Sequence, residues 1–320
     1  MSSPHVPAEL QDHVVDHLHD SEDALKKCCL VSKSWVPRAR KHLFADITLR
    51  TAGDLQSWKR TFSDSSASPA RYTKALLVGH PQAVTAADAE EGGWISTFSR
   101  VVRFHVEIHG TYDYQCLVPF HGFSPALESL TVVFSTLPPS CVFDFIRSFP
   151  LLENLTVATY GGHPNIVDMA DDDLDEQMVE IQSSSPPAFT GSLELSMDYG
   201  MEDIVVRLLL LPNGLCFQKL SLGWEHEDGI SLARELIERC GSTLESLSIS
   251  NSSLGKFKLY LRLHAPMTNL CRDIVARSDR SFEGKEVERC DAHVRPGSLV
   301  DHLDTPNHHP RPQESPTRCH

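Results

Sequence analysis

One short pattern recurs along the chain: an apolar residue, two of any kind, a second apolar residue, one of any kind, and a third. It reads Phe44–Ile47–Leu49, Val101–Phe104–Val106, Leu127–Leu130–Val132, Leu152–Leu155–Val157, Phe217–Leu220–Leu222 and Leu244–Leu247–Ile249, with shortened copies at Leu76–Val78 and Leu193–Leu195. With the middle residue as marker, the steps from Ile47 are 29, 28, 26, 25, 38, 27 and 27 residues. Apolar residues at i and i+2 share one face of a strand, so each copy predicts a short strand with one buried face. A single copy would fit the core strand of any α/β domain. Regular copies leave room for a strand and a returning segment, a unit that buries its apolar face only by stacking on its neighbours. The amphipathic segments Cys141–Phe149, Ile204–Leu211 and Ile230–Cys240 read as returning helices. The predicted architecture is an α/β solenoid of parallel strands over residues 47–263. Its one long step holds an acid-rich insert at 167–187.

Charge narrows the partners. The chain carries 29 Lys and Arg against 43 Asp and Glu, a formal net charge of −14. Between Ser148 and Val206 there are twelve acids and no Lys or Arg. Contact with phosphates needs a basic surplus on one face, so no nucleic-acid partner is expected. The longest apolar run, Ile204–Pro212, is nine residues long and contains Arg207. A membrane-spanning helix needs about 20, so no membrane association is expected. Nine cysteines without a secretory leader predict reduced thiols and a cytoplasmic or nuclear location.

No catalytic constellation is found. The chain lacks GxGxxG, GxxxxGK[ST], GxSxG and CxxC motifs. His13 and His17 have the i, i+4 spacing of a metal pair, but Val14 stands where a zincin needs its glutamate, and spacing places no third ligand. The acidic run Asp171–Asp175 lacks the mid-loop glycine and the terminal glutamate of a calcium loop, and reads as a solvated segment. Neither an enzyme nor a cofactor or metal is expected.

The first 45 residues read as three short helices. Pro7 suits a first helical position, and Leu10, Val14 and Leu18 follow at i, i+4 and i+8, with Val15 widening the stripe. Ser21 offers an N-cap to a second helix carrying Ala24, Leu25, Cys28 and Cys29. Ser32 or Ser34 is the expected cap of a third helix through Trp35, Ala39, Leu43 and Phe44. Helices this short bury little by themselves, which predicts that they lean on something else.

The residues in this block form a recognisable run. Val6-Pro7-Ala8-Glu9-Leu10, Val14-Val15-x-x-Leu18, Ala24 to Trp35 and Arg38-x-Arg40-x-x-Leu43-Phe44 together resemble an F-box. Followed directly by a strand at Ile47–Leu49 and by Trp58-x-x-x-Phe62, the block is similar to a large fungal set of F-box proteins with divergent leucine-rich repeats. The similarity extends more loosely to about Phe257. The family's usual Leu-Pro opening is Val6-Pro7 here, which keeps the apolar contact.

That resemblance implies a substrate-recognition adaptor of an SCF-type (cullin-RING) ubiquitin ligase. The F-box, residues 1–46, would dock on the ligase's small linker protein and through it on a cullin. The leucine-rich-repeat-like region, 47–263, would present a target protein that the sequence does not identify. The implied docking residues are Val6, Pro7, Leu10, Val14, Leu18, Leu25, Leu30, Val31 and Trp35. For Leu18, Leu25 and Trp35, packing among the helices is an equal expectation. The competing reading is a leucine-rich-repeat scaffold with a vestigial F-box and no ligase role. Residues 264–320, rich in proline and histidine and without apolar period, read as a poorly ordered tail. Either a natural extension or an end that departs from the family's usual final repeats explains it.

Overall fold

A computed structural model describes residues 7–90, 93–109, 114–135, 137–159, 189–197, 201–211, 215–224, 229–251 and 257–262. The acidic insert and the C-terminal tail lie outside the described residues. Residues 1–276 form one compact unit, and the second unit, 277–320, is not among those described.

Three helices open the chain: α1 (Ala8–Asp16), α2 (Glu22–Val31) and α3 (Val36–Leu43). Ser21 caps α2, its hydroxyl accepting from the amide of Ala24 at 3.4 Å. Glu22 and Asp23 stand in the first turn, where the helix dipole favours anions. The start of α3 differs from expectation. Trp35 occupies the cap, its side chain making no hydrogen bond to the helix's own amides, and Pro37 sits in the first turn, where its missing N–H is harmless. The hydroxyls of Ser32 and Ser34 are engaged with each other at 2.9 Å, so neither caps the helix.

The rest is built on one sheet of nine strands in strict chain order. They are β1 (Asp46–Leu49), β2 (Ala75–Val78), β3 (Arg103–Ile108), β4 (Ser129–Phe134), β5 (Asn154–Thr159), β6 (Ser192–Met197), β7 (Lys219–Trp224), β8 (Ser246–Asn251) and β9 (Phe257–Arg262). The first eight run parallel. The sequence markers pair straight across them: Ile47, Leu76, Phe104, Leu130, Leu155, Leu193, Leu220 and Leu247 form one row without slippage. Every member of that row is at most 9% exposed, so a one-residue slip on any strand would turn its apolar set to water. At the strand starts a single carbonyl serves two amides of the next repeat. The oxygens of Ala45, Lys74, Val102, Glu128, Gly191 and Gln218 each accept two such bonds. Backbone groups at the turns are thus satisfied by the neighbouring repeat, as stacking requires.

The ninth strand runs antiparallel to β8. A parallel return needs a crossover of about a dozen residues or more, and only five separate Asn251 from Phe257. The chain therefore turns back on itself at this edge. Between strands, the N-terminal repeats return through α4 (Ala52–Thr61), 3₁₀ turns and the short α5 (Ala86–Ala89). The later ones use α6 (Pro139–Arg147), α7 (Glu202–Leu209) and α8 (Gly229–Cys240). The arrangement is α/β and compatible with solenoid-like stacking. One apolar core runs without a break from Ile47 to Ile249.

Two departures from the pattern have local physical consequences. In the weak second copy, the position three before Leu76 is Thr73, fully buried with its hydroxyl unpartnered among the described residues. Burying such a hydroxyl costs about 1–3 kcal/mol, and valine has nearly the same shape. Thr73→Val is expected to stabilise the protein by about 1–2 kcal/mol, read as a higher urea midpoint at unchanged slope; a lower midpoint would refute this. In the sixth copy, Thr190 is exposed and Phe189 fills the core instead, its ring 5.3 Å from that of Phe217. It does so with φ at 33°, a left-handed backbone that costs a non-glycine residue about 1–3 kcal/mol.

Candidate partner-docking surface

Helix α1 carries apolar side chains on two sides. Val15 is fully buried and Leu18, just past the helix, packs beside it. Pro7, Leu10 and Val14 point the other way; Leu10 is 56% and Val14 49% exposed. A short helix packed on one side needs only one apolar stripe, so the second marks a surface with a further use. Helix α2 repeats the arrangement: Leu25 and Cys28 face inward, while Leu30 and Val31 at its end are 87% and 67% exposed. Eight large apolar side chains are exposed among the described residues, and these four make up half of them. That density within 22 residues separates this patch from scattered surface leucines.

Polar contacts tie α1 to the segment that follows α2. Gln11, between Leu10 and Val14, accepts a hydrogen bond at Oε1 from the indole Nε1–H of Trp35 at 2.8 Å and another from the Ser34 hydroxyl at 3.2 Å. Ser34 in turn meets Ser32, the residue after Val31. Behind the patch, Asp16 braces α1 to α3. It accepts from both Nε (2.5 Å) and an η nitrogen of Arg38, and lies 2.7 Å from His42 Nε2. Hydrogen bonds from Arg38 and then His42 hold its carboxyl well below the usual carboxylate range. The brace is therefore complete above the carboxylate's unfolded pKa and is lost as pH falls through its lowered value.

The docking residues expected from the sequence fall into three groups. Pro7, Leu10 and Val14 on α1 and Leu30 and Val31 at the end of α2 are each exposed. Leu18 and Trp35 are half-buried against the helices' own small core, and Leu25 is 1% exposed within it. Leu25 thus supports the surface from beneath. Val6 lies outside the described residues. The roles of Gln11 and Asp16, and the bond of Ser34 to Gln11 in place of a helix cap, escaped the sequence reading, because partners 22 to 24 residues apart leave no periodic trace.

The solvent face of the sheet is chemically plain. On its middle strands it carries short polar side chains, including Thr131, Thr156, Ser221 and Ser248, in one register row with the exposed Glu194. On β3, His105 lies 3.1 Å from Glu107, and desolvation lowers its pKa against that neighbour. Among the described residues no three His, Cys, Asp or Glu side chains are grouped to hold a metal ion. The six cysteines described are free thiols, and burial pushes that of Cys240 up to about 12. No described helix is long and apolar enough to cross a membrane.

Compared with known protein families, with curated proteins and with solved structures, the chain matches none.

Proposed function

We propose that this chain is a substrate-recognition adaptor of an SCF-type ubiquitin ligase. Its three-helix unit acts as an F-box that docks on the ligase's linker protein, and its leucine-rich-repeat-like sheet presents a target protein. The observation that carries the reading is the exposed apolar group Leu10, Val14, Leu30 and Val31 on a unit whose own core is separate and small. Burying each of these side chains in a partner is worth about 1.5–3 kcal/mol.

The junction with the sheet supports the same reading. Only Phe44 and Ala45 separate α3 from β1. Leu43 packs on the helices' core, whereas Phe44 packs on the large core, its ring 6.3 Å from Trp58 and 6.0 Å from Phe62. An adaptor that must hold a target at a fixed place benefits from such a short joint. On this reading ubiquitin transfer is carried out by other subunits, and no side chain of this protein takes part in chemistry.

The test is a binary binding measurement between the full-length chain and the purified linker protein. The wild type is expected to bind, and Leu10→Asp combined with Leu30→Asp to weaken binding at least about a hundredfold, since each buries a charge in an apolar contact. Both positions are exposed, so the thermal melt should stay in place. A wild type that does not bind would overturn the ligase role and leave a leucine-rich-repeat scaffold.

A further inference from the structure

The apolar end of α2 has a cationic border. Lys27 lies one helical turn before Leu30 and Val31, and Lys33 follows two residues after Val31; all four side chains are exposed. Two other cations of the unit are engaged. Lys26 pairs with Glu22 at 2.6 Å, and Arg38 is held by Asp16. For Lys27 and Lys33, no carboxylate among the described residues lies within ion-pair distance. The exposed acids of the unit that remain are Glu9 and Asp12 on α1, Asp20 beside His19, and Asp23 in the first turn of α2, one turn before Lys27 and away from the end that carries Leu30 and Val31.

Resting on the docking reading above, we infer that the partner surface covering Leu30 and Val31 is acidic, and that Lys27 and Lys33 steer it onto the apolar anchors. Two ammonium groups beside two exposed aliphatic side chains divide the labour of an interface. The aliphatic groups, once desolvated, set how long the complex lasts. The lysines, remaining at the rim in water, act over a screening length of about 10 Å at 0.1 M salt and set how fast it forms. A partner without carboxylates there would gain nothing from them, and a basic one would be repelled.

The experiment follows association and dissociation of the full-length chain with the purified linker protein at several salt concentrations. Lys27→Glu with Lys33→Glu is expected to slow association about tenfold and flatten its salt dependence, with dissociation nearly unchanged. The milder pair Lys27→Gln with Lys33→Gln should show about a third of that loss in rate. Leu30→Ala should instead speed dissociation. If charge reversal leaves the association rate and its salt dependence as they were, or raises the rate, while Leu30→Ala weakens binding, the acidic partner surface is refuted and the docking reading stands. Absence of binding by the wild type overturns both.

Discussion

Replacing Phe104 with alanine is expected to lower the unfolding free energy by about 3–5 kcal/mol, the usual loss for emptying a large aromatic site in a core. Phe104 sits in the marker row of β3, is 2% exposed and pairs in register with Leu76 and Leu130. Its ring stacks at 5.4 Å on Phe120 and meets Phe123 at 4.9 Å and Phe145 of α6 at 6.4 Å. Phe120 and Phe123 belong to the returning segment of the same repeat and Phe145 to the helix of the next, so the cavity would open within the repeat and at its boundary with its neighbour. In a stacked array each repeat is held chiefly by its neighbours, so a gap at β3 weakens the coupling of β1 and β2 to the rest. Phe104→Leu, which keeps much of the volume, should lose less. Urea unfolding monitored by far-ultraviolet circular dichroism measures both. A loss below about 1 kcal/mol for Phe104→Ala would show that the site collapses freely, and the tight inter-repeat packing argued here would be wrong.

The same row explains why so much of the sheet was legible in the sequence. Each copy places its marker in a strand, and the step between copies equals the distance along the chain to the next strand in register, even across the long step to Leu193. Where the pattern failed, a neighbour decided the outcome. Phe189 takes a core place four residues before its marker because Thr190 does not. The last strand, Phe257–Arg262, lies beyond the final copy of the pattern, and its direction is set by the five residues before it, not by its own apolar alternation. The proposed docking surface was legible only by resemblance. Periodicity identified Leu10, Val14, Val15 and Leu18 as one stripe on α1, but it cannot tell which side packs inward. The structure splits the stripe, with Val15 and Leu18 against the helices' core and Leu10 and Val14 outward. The polar clasp from Gln11 to Trp35 and Ser34 joins helices by tertiary contact alone, so nothing local in the sequence announces it.

Leu25→Ala is expected to unfold the three helices while leaving the sheet intact, and to abolish docking from a position that touches no partner. The core of this unit holds four buried side chains, Val15, Leu25, Cys28 and Ala39. Leu25 is the only leucine among them, and truncating a buried leucine costs about 2–5 kcal/mol. A unit of this size has little stability to lose, since short chains bury too little of their surface. The Asp16–Arg38 brace is partly exposed to water and cannot make good such a loss. Local opening would then separate from global unfolding. Amide hydrogens of α1 to α3 should exchange roughly a hundredfold faster or more, at tenfold per 1.4 kcal/mol, while those of β3 to β5 keep their wild-type rates. Binding falls in proportion to the fraction of molecules with the helices formed. Leu30→Ala provides the contrast, because it should weaken binding without altering exchange anywhere. If Leu25→Ala instead accelerated exchange equally in α1 to α3 and in β3 to β5, the helices and the sheet would be one cooperative unit. The short joint at Phe44 would then transmit stability between them.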